Sequence, residues 1–205
     1  MLEPNSPSIR QRMEVNNNGD NLICDDGIER PDAIEIGELI EKRFREFLES
    51  GRLIGENGLA VGSGGNMSMR VPGGILITSS GSKLSELKQD EIVFVHAIED
   101  NNIYFIGPKK HSRETIMHWM IYQKRPDIMA ISHVNVGPKD CKNIVTSKDE
   151  IPWGTKELSQ DTAEMLKYAD VAMMKNHGVI AVGKDLKEAT ELIVEYADKE
   201  KAFIF

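Results

Sequence analysis

From residue 33 onward the hydrophobic period of the chain changes repeatedly, and this limits the fold more than any other feature. Ile36, Leu39, Ile40, Phe44, Phe47 and Leu48 recur at helical spacing, predicting an amphipathic helix over Ala33 to Ser50 with Gly51 as its C-cap. A glycine-rich stretch, Gly58 to Arg70, follows. The next apolar runs are short. Gly74 to Thr78 reads as a strand, and Ile92 to His96 and Asn102 to Ile106 read as paired strands around an Asp100-Asn101 turn. Ser112 is the predicted cap of a helix reaching about Arg125, with Ile116, Met117, Met120 and Ile121 as its apolar stripe. Ile128 to Val136 reads as a buried strand and Ser159 to about Tyr168 as a helix. Val171 to Lys175 and Val179 to Val182 read as strands flanking Asn176-His177-Gly178, and Asp185 to about Lys201 as a last helix. Helices interleaved with short strands define a layered α/β or α+β domain.

Composition narrows the function. The 205 residues suffice for one domain with a sizeable core. A formal net charge of −8 disfavours nucleic acid and anionic membranes as partners. The two cysteines, Cys24 and Cys141, exclude a disulfide scaffold, and no CxxC pair is present. No apolar run is long enough to span a bilayer, and the N-terminus lacks a secretory apolar core, so a cytoplasmic protein is expected. Residues 1–31 are polar and read as a flexible tail, leaving 32–205 as the folded domain. Lys109, Lys110 and Arg113 surround Glu114 and make the local field compatible with a small anionic substrate.

Four places can carry chemistry. His133 and Asn135 lie two residues apart on a predicted strand and so share a face. His177 sits between two strands. Glu114 stands at a helix start beside His111 and Arg113. The Gly62–Ser68 and Ser79–Ser82 loops offer amides and hydroxyls to an anion. Each has a plainer reading: a lone strand histidine is usually a hydrogen-bonded structural group, and glycine-rich loops are usually turns. His118, one turn after Glu114, reads as a packing or orienting residue.

Taken in order, these segments resemble the class II aldolase/adducin family. Gly65-Asn66-Met67-Ser68-Met69-Arg70 is similar to its GNxSxR segment, and Ile77-Thr78-Ser79-Ser80-Gly81 to its ITPSG loop. His111-Ser112-Arg113-Glu114 falls where the family has PSSE. The spacing from Glu114 through His118, Tyr122 and Arg125-Pro126-Asp127 to His133 follows the family, and Asn176-His177-Gly178 resembles its NHG segment.

The resemblance implies a three-layer α/β/α sandwich around a mainly antiparallel sheet, assembled as a homotetramer. It implies a metal held at His133, Asn135 and His177, either Zn²⁺ or another divalent ion such as Mn²⁺ or Co²⁺. Glu114 becomes the catalytic proton shuttle, and Asn66, Ser80, Gly81, Ser112 and Arg113 the phosphate-binding set. The implied activity is that of an aldolase-type lyase or epimerase acting on a small phosphorylated sugar or hydroxy-carbonyl compound through an enediolate.

Three residues depart from the family pattern. Asn135 replaces a histidine, which tilts the site towards harder ions. His111 replaces a proline; turned inward it could replace the missing imidazole, but its simpler reading is an exposed loop residue. Arg113 replaces a serine and can form a bidentate pair with an anion. No tyrosine lies between Tyr122 and Tyr168 to supply the family's proton donor, and the Tyr-bearing tail that some members fold over the site is not expected. The alternative reading is a non-catalytic, adducin-like binding or assembly module with a degenerate metal site.

Overall fold

The computed structural model describes residues 33–203 except Asn101 and Cys141; the polar N-terminal segment lies outside the described residues. The first helix, α1 (Ala33–Glu56), runs past Gly51 rather than ending there. Ile36, Ile40, Phe47 and Ile54 are buried on one face along its whole length. Next come β1 (Asn66–Val71), β2 (Gly74–Thr78), two 3-10 turns at Leu84–Glu86 and Gln89–Glu91, β3 (Ile92–Glu99) and β4 (Asn102–Ile106). Helix α2 spans Thr115–Lys124. Its cap position is Glu114, not Ser112, whose hydroxyl instead accepts the Glu114 N–H just outside the helix. The buried stripe is rotated from the expected one: Met117, His118, Ile121 and Tyr122 are buried, while Ile116 and Met120 are only partly covered.

The strand expected over 128–136 is divided at Asn135 into β5 (Ala130–Val134) and β6 (Val136–Pro138). The chain continues through β7 (Val145–Thr146), α3 (Lys156–Met165), β8 (Val171–Met174), β9 (Gly178–Gly183) and α4 (Leu186–Tyr196). The last predicted helix stops early, at Tyr196, and Ala197–Ala202 forms a strand, β10, on β6. The Thr155 hydroxyl and the Asp185 carboxylate cap α3 and α4 by accepting the N–H groups of Leu158 and Glu188.

Eight strands form one sheet in the order β4-β3-β2-β1-β5-β9-β8-β7, and β7–β8 is its one parallel pairing among the described residues. Side chains alternate between the sheet faces with period two. Leu76, Phe94, Val134 and Ala181 join the core under α1 and α4. Ile77, Val95, Ile131 and Ile180 join a second core under α2 and α3. The molecule is therefore a three-layer α/β/α sandwich around a mainly antiparallel sheet.

Candidate metal centre and anion cleft

Strand β1 fixes the position of α2. Asn66, Ser68 and Arg70 are two residues apart and project on one side. The Asn66 amide donates to Glu114 Oε2 at 2.5 Å. Ser68 Oγ lies 2.6 Å from His118 Nδ1 and 3.0 Å from the Tyr122 hydroxyl. The Arg70 guanidinium donates to the Tyr122 carbonyl at 2.8 Å and to the carbonyls of Arg125 and Ile128. Two strand residues advance about 6.7 Å and four helix residues about 6 Å, so strand and helix stay in step along these contacts. Glu114 is thus held at the helix start by a strand that also anchors the helix end.

His133 sits near the end of β5, directly opposite Asn66 in the β1–β5 register. His177 lies in the turn between β8 and β9. Gly178, at φ 155°, lets this turn reach the end of β5; a Cβ there would strike the Val134 carbonyl and the His133 ring. The two imidazoles stack with centroids 5.0 Å apart and planes 7° apart.

His133 Nδ1–H donates to the Val179 carbonyl at 3.0 Å, which fixes the tautomer and leaves a lone pair on Nε2. That Nε2 is buried with no partner in hydrogen-bond geometry, faces Glu114 Oε2 at 3.5 Å and is also under the influence of the Asn135 side chain. His177 Nε2 donates to Glu114 Oε1 at 2.6 Å. Burial alone pushes the Glu114 carboxyl up, but the His133 and His177 imidazoles and the Asn66 amide overcome it, holding Glu114 well below the usual carboxylate range. Burial lowers the pKa of His133 against the pull of Glu114, and lowers His118 to about 3.

One ligand atom each from Glu114, His133 and His177 lies within 4.8 Å of the others. The donor set suits a divalent cation, because two imidazoles and a carboxylate match zinc chemistry. An imidazole lone pair facing a carboxylate oxygen in a buried setting is also an arrangement that a cation relieves. No other cluster of three such groups occurs among the described residues.

A cleft of about 500 Å³ opens onto this centre. Asn66, Ser80, Gly81, Ser112, Arg113, Glu114, Asn135 and His177 all line it, while His133 is fully buried behind them. Asn135 faces the cleft at the break between β5 and β6. The Asn66 amide nitrogen is committed to Glu114. His111 is buried rather than exposed: its ring meets Phe105 edge-on at 5.0 Å and Nδ1 bonds the Ser112 carbonyl at 2.8 Å. It forms no part of the ligand cluster.

Two aromatic lining residues were not evident from the sequence, Trp153 and Phe203. Trp153 comes from a loop with no periodic pattern. Phe203 arrives because β10 carries the chain back along β6, and its N–H bonds the Asn135 carbonyl at 3.0 Å. The segment after the last helix therefore reaches the site with Phe203, which carries no hydroxyl.

A three-layer sandwich with two histidines and a glutamate converging beneath a serine- and glycine-lined cleft defines a metal-site α/β protein of the class II aldolase type. The chain belongs to the family described as the Class II Aldolase and Adducin N-terminal domain, matching it over residues 45–136 and 138–199. It is 34% identical over 173 residues to the L-fuculose phosphate aldolase of Methanococcus maripaludis, spanning 74% of this chain and 92% of the relative. It is 29% identical over 168 residues to the 5-methylthioribulose-1-phosphate/5-deoxyribulose-1-phosphate aldolase of Rhodospirillum rubrum, spanning 73% and 74% of the two chains. A solved L-fuculose 1-phosphate aldolase superimposes with a TM-score of 0.64 at 26% identity, over 74% of this chain and 79% of that one. No helix among the described residues is long and apolar enough to cross a membrane.

Proposed function

We propose that this chain is a divalent-metal-dependent carbon–carbon lyase of the aldolase type, acting on a small phosphorylated hydroxy-carbonyl compound. The observation that carries the reading is the buried His133 Nε2, whose lone pair faces Glu114 at 3.5 Å. A scaffold without catalysis has no use for that arrangement, so the enzyme reading stands ahead of an adducin-like assembly role.

His133 and His177 would hold the metal, with the Asn135 carboxamide as a further donor; zinc suits the imidazoles best, and Mn²⁺ or Co²⁺ are the alternatives. When bound, the cation polarises a substrate carbonyl as a Lewis acid. Glu114, held ionised, takes the proton from the substrate position beside the carbonyl and returns it. We assign Asn66 to orienting Glu114 rather than to the phosphate, because its amide nitrogen is already engaged there. Ser80, Gly81 and Ser112 receive the phosphate through N–H and O–H donors. The reading takes the protein as a cytoplasmic homotetramer, and light scattering should then give four times 23.0 kDa.

The test combines metal content with isotope exchange. Protein purified without chelator should carry near-stoichiometric divalent metal, and His133→Ala and His177→Ala should lose it. Wild type should exchange the proton next to the carbonyl of dihydroxyacetone phosphate or a related ketose phosphate, and Glu114→Gln should not. A chain that takes up no Zn²⁺, Mn²⁺ or Co²⁺ would end the metal-dependent reading. Exchange surviving in Glu114→Gln would remove that residue's role.

A further inference from the structure

Arg113 is the only lysine or arginine lining the cleft among the described residues, and Glu114 is the only carboxylate. Its guanidinium carbon stands 4.8 Å from the centroid of the Trp153 ring. The side chain is exposed and forms no hydrogen bond or ion pair with the described residues. Stacking uses the face of a guanidinium and leaves its N–H edge unspent.

Trp153 is 46% exposed, but the loop that carries it is anchored. Its loop is pinned to the His177 turn by the Lys175 N–H on Ser147 Oγ and by the Asn176 amide on Glu150 Oε2, both at 2.7 Å. Thr155 Oγ1 closes the loop by donating to the Pro152 carbonyl at 2.7 Å. The aromatic platform is thus tied to the same turn that carries His177.

The cleft therefore contains two different anion receptors. One is the neutral wall of Ser80, Gly81 and Ser112, which offers converging donors suited to a tetrahedral phosphate. The other is a planar cationic fork that stands over an indole ring and matches a carboxylate. We propose that Arg113, steadied by Trp153, receives a second anionic group, so that the preferred ligands carry a phosphate and a carboxylate on one short carbon chain. The proposal rests on the reading of the cleft as a phosphorylated-substrate site. It makes Arg113 a specificity-determining residue and Trp153 its positioning residue.

Titration calorimetry on the zinc-supplemented full chain tests this with two probes: 4-phosphoerythronate, and erythritol 4-phosphate, which has an alcohol in place of the carboxylate. Wild type should bind the acid about tenfold or more tightly than the alcohol, the scale of one charge-assisted hydrogen-bonded pair. Arg113→Ala should bring the ratio near one while leaving affinity for the alcohol within about twofold. Arg113→Lys, which keeps the charge but loses the fork, should retain only part of the preference, and Trp153→Leu should reduce it too. A wild type without preference, or an Arg113→Ala variant that keeps it, would overturn the proposal. So would an Arg113→Ala variant that weakens both probes equally, which would assign Arg113 to the phosphate. Isotope exchange separates the two readings. If exchange is absent but the Arg113-dependent preference persists, the lyase reading falls and the two-anion site stands. If exchange is present without the preference, only the two-anion site falls.

Discussion

Glu114 and His118 lie four residues apart and titrate in different windows, so acid should destabilise the protein in two stages. His118 is lowered by burial to about 3 from an ordinary value of 6.5. The folded state thus favours its neutral form, and the associated stabilisation is complete above pH 6.5 and is lost as pH falls towards 3. Glu114 is also depressed, from 4.5, so its contribution is complete above that pH and is lost further down. Urea titrations across pH should show stability declining from about pH 6.5, with a steeper fall below about 4.5. Glu114→Gln should flatten the lower stage. His118→Asn should make the upper stage shallower without abolishing it, since His133 and His111 are lowered by burial as well. An unchanged upper stage in His118→Asn would show that Ser68 is not holding a neutral imidazole.

Helix α1 shows what an element can conceal. Gly51 looks like a helix terminator in sequence, yet the helix runs on through it, and the 3-10 turn at Leu84–Glu86 packs against that point. A Cβ on Gly51 would overlap the Leu84 carbonyl oxygen. Alanine gains about 1 kcal/mol of helix propensity over glycine, whereas forcing atoms into a packed interface costs about 1–3 kcal/mol. Gly51→Ala is therefore expected to lower the urea midpoint, and Gly37→Ala, where nothing lies within 4 Å, to raise it.

The same elements explain what the sequence revealed and what it hid. The helices and the strands of alternating or purely apolar character were legible, because burial on one or both faces leaves a period. His133 stood out as a histidine in an otherwise apolar run, and His177 through the Asn176-His177-Gly178 turn between two apolar runs. β1 was hidden because its inward polar residues, Asn66, Ser68 and Arg70, bond to α2 rather than face solvent. β10, Ala-Asp-Lys-Glu-Lys-Ala, has no apolar pattern; it is a strand only because its backbone pairs with β6. Trp153 and Phe203 reached the cleft through tertiary packing, which no local pattern records.

At the scale of the molecule, the candidate centre joins separate elements: Glu114 precedes α2, His133 lies near the end of β5 and His177 turns from β8 into β9. A cation bound there should stabilise the whole fold, since an unfolded chain does not preform the site. At a free concentration of 100 times its Kd, linkage contributes about 2.7 kcal/mol, or roughly 5–10 °C in melting temperature for a chain of this size. Zn²⁺ should produce that shift in wild type by calorimetry, chelator should reverse it, and His133→Ala should show little of it. A shift of equal size in His133→Ala would place the cation elsewhere.

The sheet order has a consequence for synthesis on the ribosome. β1 lies between β2, its neighbour in the chain, and β5, which appears some sixty residues later. The first four strands and α1 can begin to associate while the rest is unmade, but one edge of β1 then has no partner. Asn66 stands on that edge, facing the place His133 will take. The last element needed to complete the pairing is β9, which follows His177. The centre is thus also the seam along which the two halves of the sheet close, and a nascent chain cannot assemble it before nearly the whole domain has emerged.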